Sequence, residues 1–470
     1  MRSITMKKTG SCLILLFLLT TKVFSQAPET SLAKQMHERF AREGLKLYLS
    51  DDSTRWLKAT GLLQVQARYN WNDPGSAVYG HLQNQTADVG IRTLRFQLMG
   101  QVTSRVYMYV QYGIDNFNYL SARKVGSFFH DALTEYRVWK KYLSIGGGLA
   151  YMGGPLRYST QSVSSTLMAD APIYQQTIND QSDQFGRTLG MYAKGQIKRF
   201  DYRISVSKPL AVQPGGLDTT YSTSAAFSPD PASLQYRTYF KWHFFDVESN
   251  ELAYNSGTYL GKKRVLTLGV GIQYQQNAMR YWDSTAVPLN PNSEEIKKNL
   301  VNHNLMIAGV DLFYDSYLNK EKGNAITIYV AYLYADYGKN YLRYLGTMNM
   351  NTGNNNKNLY NAASFGNAFP MMGTGNTAYI QAAYKFKDKL FAEHGTLQPY
   401  FDVQISKFQA LGNNTMLMAD AGINWLIKGQ NAKISLNYQS RPVYTEKAGT
   451  YTEVPSARRG LLFLQYQVAF

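Results

Sequence analysis

Leu461–Phe470 reads LLFLQYQVAF. Leu462, Leu464, Tyr466, Val468 and Phe470 fall on one face of an extended chain, and Phe463, Gln465 and Gln467 on the other. That period of two is the side-chain repeat of a strand. A last strand with nothing after it exposes unpaired backbone groups unless a neighbour covers its edge. Pairing with the first strand of the same sheet removes the problem by closing a barrel. A soluble sandwich can end on such a strand too, so the number and spacing of the other strands decide between them.

Upstream, the same period recurs. In Leu57–Tyr69 (LKATGLLQVQARY), Leu57, Ala59, Leu63, Val65, Ala67 and Tyr69 share one face, and Lys58, Thr60, Gln64, Gln66 and Arg68 the other. Strands of this kind are expected near 88–101, 105–114, 132–139, 142–151, 186–197, 200–208 and 235–245. They continue near 264–275, 302–314, 325–336, 376–387, 396–408, 415–427, 431–440 and 459–470, about sixteen in all. An even number returns both chain ends to one side of a closed sheet. Tight turns at Thr103-Ser104, Lys140-Lys141, Lys198-Arg199 and Lys428-Gly429-Gln430 alternate with long segments at 70–87, 152–185, 209–234, 276–301, 337–375 and 441–458. Short turns at one end and long loops at the other are the transmembrane-barrel pattern. Two connections depart from it: 246–263 is long for a turn, and 409–414 is short for a loop. No fixed-period repeat points to a propeller or solenoid.

The N-terminus sets the compartment. Arg2, Lys7 and Lys8 precede an apolar run at Cys12–Leu19, and Val23-Phe24-Ser25 ends in a small residue. This is a secretory signal peptide over 1–25, with cleavage expected between Ser25 and Gln26. The run is well short of the roughly 20 apolar residues a spanning helix needs. Residues 26–56 then form a leader in which Ser31–Leu49 is expected as a short amphipathic helix, with Leu32, Met36 and Phe40 near helical spacing. A solvated or plug-like arm suits it better than a partner-binding helix. The barrel occupies 57–470.

Cys12 is the chain's only cysteine, so a mature chain without the leader has none and carries no disulfide, thiolate metal site or cysteine nucleophile. Hydrophobic content of 44% with 37 tyrosines suits a protein that distributes apolar residues singly along strands. The formal charge is +17, and loss of four basic residues with the leader leaves +13. The charges are scattered and not clustered, which disfavours nucleic acid. They suit either anionic lipid headgroups or an electropositive water-filled pore.

The closing strand resembles the C-terminal signature of Gram-negative outer-membrane proteins, in which a terminal Phe, here Phe470, serves as the membrane-insertion signal read by the barrel-assembly machinery. Four stretches resemble the phosphate-selective porin O and P family in its Bacteroidetes form. They are Gly44–Asp52 running into Gly61–Gln64; Ile91–Gln101 with Val106–Asp115; Leu133–Val138 through the 152–185 loop to Gly186–Gly190; and Tyr259–Arg264 leading to Gly269–Tyr274. The resemblance implies an all-β transmembrane antiparallel β-barrel of about sixteen strands with an inward-folded constriction loop. It further implies a homotrimer in the cell outer membrane, passing small anions through an opening lined by Arg and Lys. The solute is not inherited with the fold.

The polar parity of the strands assigns Lys58, Arg68, Arg95, Arg137, Lys194, Arg203, Arg237, Lys241, Lys385 and Lys433 to the lumen, against Asp115, Glu135, Asp311, Asp402 and Asp420. A register slip of one residue reverses any strand. Arg binds phosphate or carboxylate through a planar fork, and Lys acts as a mobile point charge. Porins fold a loop inward between the fifth and sixth strands, which here is 152–185. It holds Arg157, with Arg187 just beyond, but also Asp170, Asp180 and Asp183. Gly146 and Gly148 would leave room for it. Arg95, Arg137, Arg157, Arg187 and Lys194 are the candidates to surround the constriction, with Arg203, Arg237 and Lys241 further pore-lining, anion-binding candidates. Bracing of the wall through pairs with Glu135 or the loop aspartates is the competing reading.

Catalysis is disfavoured. His37, His81, His130, His243, His303 and His394 are far apart, and no HExxH, GxSxG or phosphate-cradling Gly-Lys-Ser/Thr motif is present. Gly146–Gly148 reads as strand glycine. The Asn-, Gly- and Tyr-rich 337–375 segment could stack on sugars, but a loop without a ligand explains it better. The expected function is passive diffusion of small hydrophilic solutes with a bias to anions such as phosphate. No cofactor or metal is expected, and the partners are small anionic solutes, outer-membrane lipid and lipopolysaccharide. The alternative is a non-conducting structural or adhesive barrel, or the barrel subunit of an uptake or export complex.

Overall fold

The computed structural model describes residues 45–119, 126–168, 172, 177–178, 181–183, 186–211, 223–229, 233–283, 299–347, 352–353, 366–447, 450–454 and 457–470. Sixteen long antiparallel strands form one closed sheet. They are β1 (Trp56–Trp71), β2 (Gln85–Gln101), β3 (Val106–Phe117), β4 (Phe128–Trp139), β5 (Leu143–Ala150), β6 (Thr188–Ile197), β7 (Phe200–Lys208) and β8 (Gln235–His243). They continue as β9 (Val265–Trp282), β10 (Leu300–Asn319), β11 (Asn324–Asp336), β12 (Gly375–Lys385), β13 (Thr396–Phe408), β14 (Thr415–Leu426), β15 (Ala432–Arg441) and β16 (Arg459–Ala469). Each pairs with its neighbour in sequence, and β16 returns to β1 in the register Leu62↔Ala469 through Asn70↔Leu461. The signal peptide and most of the expected helix at Ser31–Leu49 lie outside the described residues. At its described end the expectation is corrected: Leu45–Tyr48 is extended strand.

The closing seam shows why LLFLQYQVAF closes the sheet. Gln465 and Gln467 face inward, each completely buried, and meet Gln66 and Gln64 of β1 in amide pairs at 2.7 and 2.8 Å. Leu462, Leu464 and Tyr466 face outward and are exposed, as the alternation requires. The Phe470 backbone exchanges both hydrogen bonds with Gly61, each at 3.1 Å, and its ring lies where a Cβ on Gly61 would stand. Gly61→Val should therefore push the ring off the seam at a cost of about 1–3 kcal/mol. The expected readout is a lower temperature for loss of the compact, heat-modifiable form on a gel; an unchanged midpoint would refute this role for the glycine.

Around the wall, outward residues such as Phe96, Val270, Leu312, Val330, Ile380 and Leu436 are exposed. Exposed Trp139, Trp242 and Trp425 sit at the rim where β4, β8 and β14 end, and Tyr274, Tyr332 and Tyr334 toward the opposite rim. Apolar outer faces between aromatic bands are what a bilayer selects. We call the rim carrying the C-terminus the lower rim. Most lower connections are tight, and the long 244–264 connection is the exception that sequence spacing had marked. At the upper rim, Leu342–Leu345 pairs with Phe369–Gly373, and Tyr337 stacks on Tyr341 at 4.5 Å. Within the 337–375 segment, residues 348–351 and 354–365 lie outside the described set.

Candidate functional site

The lumen is the site, and two connections fold into it from opposite rims. The upper one, residues 151–187 after β5, carries 3₁₀ turns at Arg157–Thr160 and Val163–Ser165. The lower one is 244–264. Their meeting is a set of backbone and amide bonds. Asn255 N donates to Thr160 O at 2.7 Å, and Ser162 N to Asn255 O at 2.9 Å. The Asn255 side chain donates to Arg157 O and Thr160 Oγ1, and Gly257 N to Ser165 Oγ.

Arg157 is the pin. Its guanidinium makes a fork on Glu248, Nη1 to Oε2 at 2.8 Å and Nη2 to Oε1 at 2.5 Å, and also donates to Ser256 O. The plane lies 3.7 Å over the Phe313 ring, and Arg157 N donates to Asp311 Oδ2 at 2.5 Å. Arg157 has no exposed surface. Burial disfavours the Glu248 charge, but the Arg157 guanidinium, with Lys241 and the Tyr259 hydroxyl, outweighs it and holds the carboxyl well below the usual carboxylate range. Because the folded value is depressed, the pair's stabilisation is complete above the ordinary value of about 4.5 and is lost only as pH falls through the folded one. Bilayer conductance should therefore be flat from neutral pH to about 5 and rise only in stronger acid. A rise already between neutrality and pH 5 would contradict that order.

The upper segment crosses to the far wall. Ser164 O, Thr166 O and Leu167 O accept from Gln467, Lys433 and Asn424 at 2.9, 2.7 and 2.7 Å. It enters past Gly271 and Gly309, where a Cβ would collide with Gly154 and with Pro155 and Leu156. Those glycines make the room that sequence reasoning gave to Gly146 and Gly148. That expectation is corrected: a Cβ at Gly146 would meet the Tyr192 ring, and one at Gly148 the backbone of β4.

The expected lumen cations do point inward, and most meet an anion or a backbone carbonyl. Arg68 pairs with Asp88 at 2.7 Å, and Arg95 with Asp115 at 2.5 Å. Arg187 pairs with Asp131 at 3.1 Å and donates to Tyr254, itself on the lower connection. Lys194 bridges Glu135 at 2.8 Å and Glu251 O at 2.6 Å. Arg203 donates to Ala253 O and lies 3.7 Å from Asp201. Lys241 binds the Asn255 side chain, with Asp201 at 3.7 Å and Glu248 at 4.0 Å. Lys385 pairs with Asp388 in a lower turn. Arg237 lies 4.6 Å from the Tyr151 ring and donates to Thr188. Arg137 is exposed at the lower rim and donates to Gln101. It lines a cavity of about 570 Å³ with Lys140, Lys141, Lys194, Glu135 and Glu251.

Four strand carboxylates were missing from the sequence inventory. Asp88 faces inward because a bulge at the Gln64/Val65 register step reverses the parity of upper β2. Asp131 and Asp315 fell just beyond the expected strand limits, and Asp201 had the right parity and was overlooked. With Glu248 they oppose the positive charge read from parity. Gln66, Gln273, Asp402, Lys433 and Gln467, from five separate strands, have no exposed surface. Among the described residues no group of three or more His, Cys, Asp or Glu gathers to hold a metal.

Neither a protein-family model nor a curated protein matches the chain by sequence. Solved structures do match in shape. OprB of Pseudomonas putida aligns with a TM-score of 0.50 at 10% identity, over 88% of this chain and 94% of that one. The trimer form of OmpT from Vibrio cholerae gives 0.47 at 9%, over 88% and 99%. A mutant of Rhodopseudomonas blastica porin gives 0.42 at 10%, over 88% and 100%. The sheet closure and the likeness to OprB together show a closed, sixteen-stranded antiparallel β-barrel fold.

Proposed function

We propose that this protein is an outer-membrane channel for passive diffusion of small hydrophilic solutes, with a bias to anions such as phosphate. The observation that carries the reading is a closed barrel, apolar outside and lined with amides, hydroxyls and charges inside, with the loop after β5 folded across its lumen. The anion bias rests on the lower mouth, where Arg137, Lys140, Lys141 and Lys194 face Glu135 and Glu251. Most deeper cations pair with carboxylates and contribute little net field, while Arg237 and Lys433 meet neutral groups. The chain is exported by the general secretory route, inserted by the barrel-assembly machinery and assembled as a homotrimer among outer-membrane lipid and lipopolysaccharide. It acts as a channel and not as an enzyme.

The burial of lumen-facing polar groups on five separate strands favours a second reading, a barrel that does not conduct at rest. Purified protein in a planar bilayer under a salt gradient separates the two. Stable conductance with an anion-leaning reversal potential supports the first. A cation-leaning potential keeps the channel and removes the bias. A correctly folded barrel with no conductance supports the second.

A further inference from the structure

Asp402 of β13 and Asp420 of β14 stand directly opposite each other on the lumen face. Gln381 of β12 and Gln439 of β15 continue the same row, so two amides flank two carboxylates across four strands. Directly opposed residues carry their Cβ atoms about 4.5–5.5 Å apart, which brings both carboxylates within reach of one ion.

The other lumen acids are compensated: Asp311 and Asp315 accept from hydroxyls and backbone N–H groups. Asp115, Asp131, Glu135 and Glu248 each meet an Arg or Lys. No ion pair among the described residues includes Asp402, which is completely buried, and neither of its carboxylate oxygens has a hydrogen-bond donor. The Tyr379 hydroxyl, which donates to Met168 Sδ at 3.1 Å, is the favourable polar neighbour of this carboxylate and brings no charge to it. Asp420 accepts from the Asn437 amide at 2.7 Å and from Gln439 Nε2 at 3.3 and 3.4 Å. A neutral group gives the second, independent sign. Gln439 is buried with its Nε2 on Asp420, yet its Oε1 has no partner. Buried carboxylates without a compensating charge are strongly disfavoured, and a buried amide oxygen without a donor adds to that cost.

We infer that this row holds a divalent cation, with Ca²⁺ the best fit. The available donors are all oxygens, two anionic side chains and one neutral amide, with no nitrogen or sulfur ligand among them. That set suits a hard cation, and two carboxylates balance a charge of two. Ca²⁺ tolerates an irregular set completed by water, whereas Mg²⁺ demands near-octahedral geometry. The ion would tie β13, β14 and β15 together on the lumen side.

The test uses the folded full-length barrel in detergent, stripped with chelator and titrated with Tb³⁺ excited through tyrosine. Tyr400, whose hydroxyl binds the Asn437 that holds Asp420, and Tyr379 are placed to sensitise it. Saturable emission is expected, displaced by Ca²⁺ with an apparent Kd of about 10⁻⁴–10⁻³ M, the range of modest two-carboxylate sites. Asp402→Asn should weaken binding at least about tenfold, the scale of one lost charge-assisted ligand. The double variant Asp402→Asn/Asp420→Asn should abolish the emission, and Asp283→Asn, an exposed loop acid, should leave it unchanged. Removing buried charge does not threaten folding, and gel mobility before and after heating verifies each barrel. Absence of saturable emission in wild type, or its survival in the double variant, overturns the proposal. So does a protonated-carboxyl infrared band that persists at saturating Ca²⁺ and disappears in Asp402→Asn, because the two acids would then share a proton.

Discussion

Replacing Arg157 with alanine is expected to raise the single-channel conductance severalfold and to make it noisier than wild type. Arg157 ties the upper segment to the lower connection through its fork on Glu248 and its bonds to Ser256 O. Alanine leaves Glu248 buried beside the Phe313 and Tyr259 rings with its main counter-charge gone. Breaking a buried pair on one side costs about 3–5 kcal/mol. That cost falls on the docked state alone, because an undocked Glu248 is hydrated, so docking shifts by about 10²- to 10³-fold toward release. The outer wall is untouched, and the barrel should keep its heat-modifiable mobility. Glu248→Gln should open the path less, since the amide still accepts one bond from the guanidinium. Unchanged conductance in folded Arg157→Ala would show that the two segments do not control the path.

Joining the same two segments covalently has the opposite effect. Gln161 and Asn255 form a backbone bridge where the connections meet. Cys12 is the only cysteine, so in a chain that lacks residues 1–25 the pair Gln161→Cys/Asn255→Cys has only itself to react with. Under oxidising conditions the disulfide should reduce conductance to below a tenth of the reduced form, by the entropic cost of about 3–5 kcal/mol it removes from docking a loop of this size. Reductant should restore it within one recording. Equal conductance before and after reduction, with the bond verified by mass, would mean that solute passes elsewhere in the lumen.

Single charges at the lower mouth have smaller effects, because a charge at a hydrated rim is screened within about 8–10 Å at ordinary salt. Lumen pairs are different. Arg68 with Asp88, and Arg157 with Glu248, are shielded from water, so each removes a cation and an anion together from the field that a solute would meet.

The register of LLFLQYQVAF, the strand count and the alternation of short and long connections follow from local chemistry, and sequence alone determined them. Period-two burial, turn residues and strand length are properties of neighbours in the chain, and a lipid outside selects them residue by residue. The 246–263 connection was also visible as an anomaly of spacing. Where it goes was not, since nothing local distinguishes a long turn that hangs free from one that enters the barrel. The identity of the lumen field was likewise decided in three dimensions. A single bulge in β2 turned Asp88 inward, and strand ends longer than periodicity suggested brought in Asp131 and Asp315. For Arg157 and Arg187 sequence offers only Glu135 or the loop aspartates as bracing partners, because the observed ones, Glu248 and Asp131, lie 91 and 56 residues away. Pairing across such distances depends on barrel closure and on the two infolded segments meeting, and only the tertiary structure decides that.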